Sequence, residues 1–354
     1  LNVRLSETDL EYIINHAGDR LIIADADALP LLEKLSGRIP TVERVVVATE
    51  AGFEDWSTSL PEAVDYEAFI QGKPTHFEWP EISENAPLGL CYTSGTTGRP
   101  KGVEYEHRSQ YLHTIAQCMT DSMGLSGADA VCGIVPMFHV MGWGIPWSAL
   151  MLGCKQVLPH RFMNPERLVR LMADEKVTLS AGVPTIWQGV KSAIEANPDA
   201  YDLSSLERLT CGGSAPPPSL IRWYWDVLGV EMIQGWGMTE TSPLATLSRR
   251  VMKRSHLGMT LDQQFDNVAK AGQLIPGLEL DIFDEEFNRV PHDGESVGEI
   301  LVRGPWICSE YFNDPQPEKF HGDWLITGDV GKIDPEEYLI ISDRSKDLVK
   351  SGGE

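Results

Sequence analysis

Leu88-Gly89-Leu90-Cys91-Tyr92-Thr93-Ser94-Gly95-Thr96-Thr97-Gly98-Arg99-Pro100-Lys101-Gly102-Val103-Glu104-Tyr105 is the stretch on which the fold turns. Leu88 to Tyr92 reads as a strand, and it runs into a loop of hydroxyls, glycines and one lysine. A polyphosphate needs backbone N–H groups brought close, hydroxyl donors and a cation, and this loop has all three. Val103 to Tyr105 then reads as a second strand. A Walker A loop opens directly into a helix, so the loop is of another kind, and it joins two strands of an α/β protein. That argues against a P-loop phosphohydrolase.

Toward the N-terminus, Ser6 with Asp9 forms a capping box, and Leu10, Ile13, Ile14 and Ala17 follow at helical spacing. Residues 20–24 and 44–48 are short β-branched runs with a helical stretch between them, the alternation of a parallel sheet. Residues 50–87 are rich in Glu, Pro and Ser and read as irregular connection. Toward the C-terminus, strands are expected at 130–135, 155–158, 178–182, 208–211 and 231–234, with a helix opened by Asn164-Pro165. Beyond about residue 250 the pattern changes to short strands without long helices, at 279–283, 299–303 and 338–342.

The expected architecture is therefore α/β, with two doubly wound αβ subdomains and a small β-barrel-like subdomain. The boundaries read as 1–129, with the phosphate loop; 130–250; 251–342; and 343–354, a hinge and the start of a further domain. Leu1 is not an initiator Met, and Ser351-Gly352-Gly353-Glu354 reads as chain that continues, so both ends look cut.

A net charge of −23 argues against a nucleic-acid or anionic-membrane surface, because both need clustered Lys and Arg. Six cysteines without CxxC spacing suggest neither a zinc site nor a disulfide framework, and they fit reduced thiols. No apolar run is long enough for a transmembrane segment, and no leader pattern is visible. A cytoplasmic protein is expected.

The loop TSGTTGRPKG at 93–102 resembles the signature of the AMP-binding, adenylate-forming acyl-activating superfamily, and further motifs follow in the family's order along nearly the whole chain. The resemblance implies that Thr93, Ser94, Gly95, Thr96, Thr97, Gly98 and Lys101 wrap the phosphates of ATP. Gln234-Gly235-Trp236-Gly237-Met238-Thr239-Glu240-Thr241 is similar to the family's aromatic-Gly-x-Thr-Glu segment. It implies Trp236, Gly237 and Met238 at adenine, Thr239 at the α-phosphate and Glu240 on Mg²⁺; a flat ring suits a base and a hard oxygen suits magnesium. Gly212, Gly213, Ser214 and Ala215, after a strand end, would press backbone against the other adenine face. Asp329 in Thr327-Gly328-Asp329 and Arg344 in Asp343-Arg344-Ser345-Lys346-Asp347 are similar to the two ribose-contacting motifs. Lys346 matches the family hinge, and Lys350 would serve thioester formation.

Pro136-Met137-Phe138-His139-Val140-Met141-Gly142-Trp143-Gly144 resembles the segment lining the acyl pocket. His139 and Trp143 are four apart, so on a helix they share one face. Val183 and Pro184 form another wall, with Gly212. Amino-acid adenylation domains of the family carry Asp where His139 stands here, so an uncharged carboxylic acid is expected. The pattern is similar to medium-chain fatty acyl-CoA synthetases and 3-methylmercaptopropionate-CoA ligases.

As the resemblance implies, a carboxylate attacks the α-phosphorus of Mg·ATP, giving the acyl adenylate and releasing pyrophosphate, and the thiol of coenzyme A then displaces AMP. Lys101, His139, Thr239, Glu240 and Lys350 carry the chemistry, mostly by positioning and charge stabilisation. ATP, Mg²⁺ and coenzyme A are the expected cofactors, a small carboxylic acid the partner, and self-association into a homodimer stays open. The alternative is a nucleotide- or acyl-adenylate-binding module with little turnover, since the family's adenylating lysine lies beyond this sequence.

Overall fold

The computed structural model describes residues 1–49, 56–93, 98–160 and 163–344. Two compact units emerge, one of Leu1–Ser83 with Tyr92–Gly102 and one of Glu84–Cys91 with Val103–Glu354.

In the first unit, helix α1 (Glu7–Ala17) starts where Ser6 Oγ accepts from Asp9 N at 3.1 Å and stops at Gly18, whose φ of 69° is left-handed. Strand β1 (Leu21–Asp25), helix α2 (Leu29–Leu35) and strand β2 (Arg44–Ala48) follow as the sequence predicts. Strand β3 (Ala63–Asp65) and helix α3 (Tyr66–Ile70) lie inside the stretch expected to be irregular. The reason is tertiary: three residues are too few to show periodicity, yet Val64 pairs with Val46, and Asp65 caps α3 by accepting from Ala68 N at 3.0 Å. The three strands are parallel in the order β1-β2-β3. Leu10, Ile14, Leu32, Leu35, Val45 and Val47 form their core.

The second unit is built around a seven-stranded sheet. Strand β4 (Pro87–Tyr92) pairs with strand β5 (Gly102–Glu106) in a separate ribbon, as expected for a loop joining two strands, and helix α4 (His107–Cys118) follows. Strand β6 (Ala130–Gly133), the short turn α5 (Val140–Trp143), helix α6 (Ile145–Leu152), strand β7 (Lys155–Val157) and helix α7 (Pro165–Asp174) come next. Strand β8 (Leu179–Gly182), helix α8 (Pro184–Ala196), strand β9 (Arg208–Cys211), helix α9 (Pro218–Leu228) and strand β10 (Glu231–Gly237) complete the parallel part. Strand β11 (Leu244–Ser248), helix α10 (Leu261–Val268) and strand β12 (Gln273–Leu274) extend it, both strands antiparallel to their neighbours, in the order β12-β11-β10-β9-β8-β6-β7.

Successive residues of one strand face opposite sides, and the cores record it. Cys132 and Met232 belong to one hydrophobic cluster with Leu168, Val190 and Tyr224; their neighbours Val131 and Ile233 belong to another with Ile145 and Ala149. Each face is covered, which is the doubly wound arrangement expected. The helix α7 expected at Asn164-Pro165 begins there, with Asn164 Oδ1 accepting from Glu166 N and Arg167 N.

Strands β13 (Glu279–Phe283), β14 (Gly298–Arg303), β15 (Phe320–His321), β16 (Trp324–Ile333) and β17 (Leu339–Arg344) form an antiparallel sheet in the order β13-β14-β16-β15, with β17 on β16. Register shifts at Glu299/Leu301 and Val330/Gly331 add local twist and curl it toward a half-barrel. No helix among the described residues is long and apolar enough to cross a membrane.

Candidate functional site

In the seven-stranded sheet the chain steps from β6 outward to β7, then returns to the other side of β6 for β8, β9 and β10. The order reverses between β6 and β8, and a crevice at such a switch point, at the carboxyl ends of the strands, is where open α/β sheets hold ligands. The expected residues follow those ends: His139 and Trp143 after β6, Val183 and Pro184 after β8, Gly212 after β9, and Trp236 at the last residue but one of β10. His139, Trp143, Val183, Pro184 and Trp236 are half-buried, whereas Gly213, Ser214 and Ala215 are exposed.

The segment after β6 is not the right-handed helix on which His139 and Trp143 would share a face. Val140, Met141, Gly142, Trp143 and Gly144 have φ of 46°, 54°, 69°, 57° and 72°, a left-handed turn five residues long. A left-handed residue other than glycine costs about 1–2 kcal/mol, and a β-branched one such as Val140 is an outlier. Packing holds it. Val140 is buried against Cys91, Val103, Tyr105 and Tyr311, Gln117 Nε2 donates to the Trp143 carbonyl at 2.8 Å, and Ser148 Oγ donates to Gln117 Oε1. The turn sets the Trp143 ring against the backbone of Gly212, where a Cβ would come within 3.0 Å of Cη2. Sustained strain of this kind is found where a side chain must be held in one place.

After β10 the chain makes a close approach of its own. A Cβ at Gly237 would lie 1.7 Å from the Pro243 carbonyl oxygen, so only glycine fits. Trp236 Nε1 donates to Asp329 Oδ2 at 2.9 Å, joining the residues expected at adenine and at ribose. Asp329 is buried in β16, its amide donating to Thr327 Oγ1 at 3.1 Å, and Arg344 of β17 lies opposite it in the strand register. Thr239 and Glu240 sit in a single tight turn. Tyr105 OH donates to the Thr239 carbonyl at 2.8 Å, Cys308 N to the Glu240 carbonyl at 2.8 Å, and Tyr311 OH to Glu240 Oε1 at 2.6 Å. Burial and the Glu240 charge push the Tyr311 phenol far above its ordinary range, so it remains the donor.

At the base of the loop expected to bind phosphate, Thr93 N donates to the Lys101 carbonyl at 2.9 Å and Lys101 N to Thr93 Oγ1 at 3.2 Å. Among the described residues a Cβ at Gly98 would meet nothing within 4 Å. Ser94, Gly95, Thr96, Thr97, Lys346 and Lys350 lie outside the described residues, as does the side chain of Arg344.

Among the described residues no three His, Cys, Asp or Glu side chains gather as a metal cage. One buried carboxylate, Glu240, suits instead a magnesium ion that arrives on a polyphosphate and takes most of its ligands from it. Tyr105, Tyr311 and His113 carry weight in this region without any local sequence signal, since their partners are 134, 71 and 131 residues away. His113 is buried on α4, its Nε2 accepting from Leu244 N at 3.3 Å, and burial holds its pKa down at about 3.

The AMP-binding enzyme family model matches residues 1–312. A 3-methylmercaptopropionyl-CoA ligase of Ruegeria lacuscaerulensis is 42% identical over 354 residues, all of this chain and 65% of that protein. A medium-chain-fatty-acid–CoA ligase of Ectopseudomonas oleovorans is 39% identical over all of this chain and 64% of its own length. The chain thus spans about 65% of the length of these curated relatives. The crystal structure of the anthranilate CoA ligase AuaEII in complex with anthranoyl-AMP is similar with a TM-score of 0.82 at 26% identity, over 100% of this chain and 64% of that one. The N-terminal domain of FACL13 from Mycobacterium tuberculosis matches 97% of this chain and 79% of its own with a TM-score of 0.81; at 22% identity this speaks to fold alone. The paired strands β4 and β5, the switch point of the sheet and the family match over residues 1–312 agree, and the chain belongs to the AMP-binding enzyme family.

Proposed function

We propose that this chain is the nucleotide- and acid-binding part of an ATP-dependent, AMP-forming acid–CoA ligase for an uncharged carboxylic acid. The observation that carries the reading is the carboxyl edge of the sheet, where Trp143 packs on Gly212 and a separate group, Trp236 bonded to Asp329, follows β10. The first group offers an apolar wall with an imidazole, His139, and no carboxylate at that position to hold an ammonium. The second offers an aromatic face beside a carboxylate that can accept from vicinal hydroxyls. The names of the two curated relatives support an aliphatic or thioether acid.

In this reading Trp236 packs on adenine and Asp329 fixes the ribose, so that the α-phosphate is presented to Thr239. His139 orients the attacking carboxylate, and Trp143, Val183 and Pro184 enclose its chain and exclude water. Glu240 would hold the magnesium ion that accompanies the nucleotide, and that ion would supply positive charge against the polyphosphate. Lys101 and the N–H groups of residues 93–98 belong to the same proposal, as the donors that offset charge on the phosphates. Holding acid and phosphate in one geometry supplies most of the acceleration, and no covalent enzyme intermediate is needed. Transfer to coenzyme A involves Lys350, and the reaction takes place in the cytoplasm.

Pyrophosphate release with octanoate and ATP tests the proposal, run on this chain and on one extended to the length of its relatives. Acid-dependent release by the extended protein is expected. Phosphate release that ignores the acid would overturn the ligase reading, and ATP binding without turnover in the extended protein would favour the binding module.

A further inference from the structure

Glu240 is pinned through its backbone on two sides, by Tyr105 at the carbonyl before it and by Cys308 N at its own. Ser242 Oγ, donating to the Trp306 carbonyl at 2.7 Å, closes the same turn. With the main chain fixed, the remaining freedom lies in the side chain, and Tyr311 OH takes one carboxylate oxygen at 2.6 Å. Both groups are buried, Glu240 at 6% and Tyr311 at 5% exposure, where a charge-assisted O–H···O bond of this length is strong and directional.

We propose that Tyr311 is a positioning residue for Glu240, its phenol holding Oε1 so that Oε2 is kept for the cation that accompanies ATP. The inference rests on the reading of Glu240 as the metal-binding carboxylate. An ionised carboxylate has about four acceptor sites, so one oxygen can take the phenol while the other meets a metal. The phenol fixes the ligand's orientation and adds no charge, which is the role hydrogen-bonded partners play for carboxylates on metals elsewhere. Without the hydroxyl, Glu240 would turn about its side-chain bonds toward whatever donor it could find, and the metal would have to hold it there instead.

The experiment is calorimetric binding of ATP to the 354-residue chain at stepped free Mg²⁺ and with metal absent, for wild type, Tyr311→Phe, Tyr311→His, Tyr224→Phe and Glu240→Gln. Tyr224→Phe also removes a buried hydroxyl, one that donates to the Trp187 carbonyl in the core, and so controls for a general loosening of the fold. Tyr311→Phe should raise the half-saturating Mg²⁺ by about 10-fold and leave metal-free ATP affinity where it was. Tyr311→His, which keeps a ring N–H, should fall between the two, and it carries the test if the Phe variant does not fold. An unchanged Mg²⁺ dependence in the Tyr311 variants, or an equal shift in Tyr224→Phe, overturns the positioning role. If Glu240→Gln leaves Mg²⁺ dependence intact, the metal assignment itself falls, and that failure is visible separately from the first.

Discussion

The indole Nε1 of Trp236 donates to Oδ2 of Asp329 over 2.9 Å, although 93 residues separate them in sequence. The residues proposed at the base and at the ribose are therefore one unit: turning the indole would take a donor away from the buried Asp329. A phenylalanine at 236 would keep an aromatic face and lose this bond.

Trp236→Phe should weaken ATP binding by about 1 kcal/mol and Asp329→Ala by about 1–3 kcal/mol, the latter from leaving ribose hydroxyls unpaired. The double variant should lose less than the sum, with a coupling of at least about 0.5 kcal/mol. Calorimetric titration of the four proteins with ATP decides it, and strict additivity would show that the bond does not matter to the nucleotide.

Trp143→Ala should shift preference among acids far more than the requirement for ATP. Gly212→Ala should act on the same wall from the other side, because its Cβ would come within 3.0 Å of the Trp143 ring. Relative kcat/KM across a panel from acetate to palmitate, with 3-methylmercaptopropionate, reads both in the extended protein. An equal loss for every acid would reduce Trp143 to a core residue.

Gly237→Ala should be among the most disruptive small substitutions, since the new methyl meets the Pro243 carbonyl oxygen at 1.7 Å. Gly258→Ala, with nothing among the described residues within 4 Å, should stay within about 0.5 kcal/mol of wild type. Urea unfolding of the two variants makes the comparison; similar midpoints would mean that residues 237–243 rearrange freely.

His113 gives the fold a pH dependence with a definite sign. Its folded pKa is held at about 3 by burial, below the ordinary 6.5, so on acidification the unfolded chain takes up the proton first. The stability this residue contributes is intact above about pH 6.5 and is lost as pH falls toward about 3, with a slope of at most about 1.4 kcal/mol per pH unit. His113→Gln should lose stability less steeply between pH 7 and 5 in urea titrations, and identical slopes would reject the assignment.

The strands β6, β8, β9 and β10 were legible because β-branched and apolar runs bounded by glycine carry their own signature, and α7 because Asn164-Pro165 marks its start. Strand β3 was not: Ala63–Asp65 is a strand only because β2 lies beside it. The face of α4 was equally hidden, since Gln110, His113, Thr114 and Gln117 are buried while Tyr111 and Ile115 face solvent, the reverse of what polarity suggests. The candidate site divides in the same way. Motif residues such as Thr239 and Glu240 could be named from sequence, whereas Tyr105 and Tyr311, which bond them, could not, because a hydrogen bond across 134 or 71 residues leaves no periodic trace.

The left-handed turn at residues 140–144 runs counter to the chirality of its own building blocks. At Trp143 an exchange to glycine or asparagine would relax the main chain while it removes the ring that packs beside Gly212. On the proposed reading, a single codon change there alters the choice of acid and eases the backbone together. Divergence of substrate taste in descendants of this chain thus has a downhill route in conformational energy, one that leaves the sheet beneath it untouched.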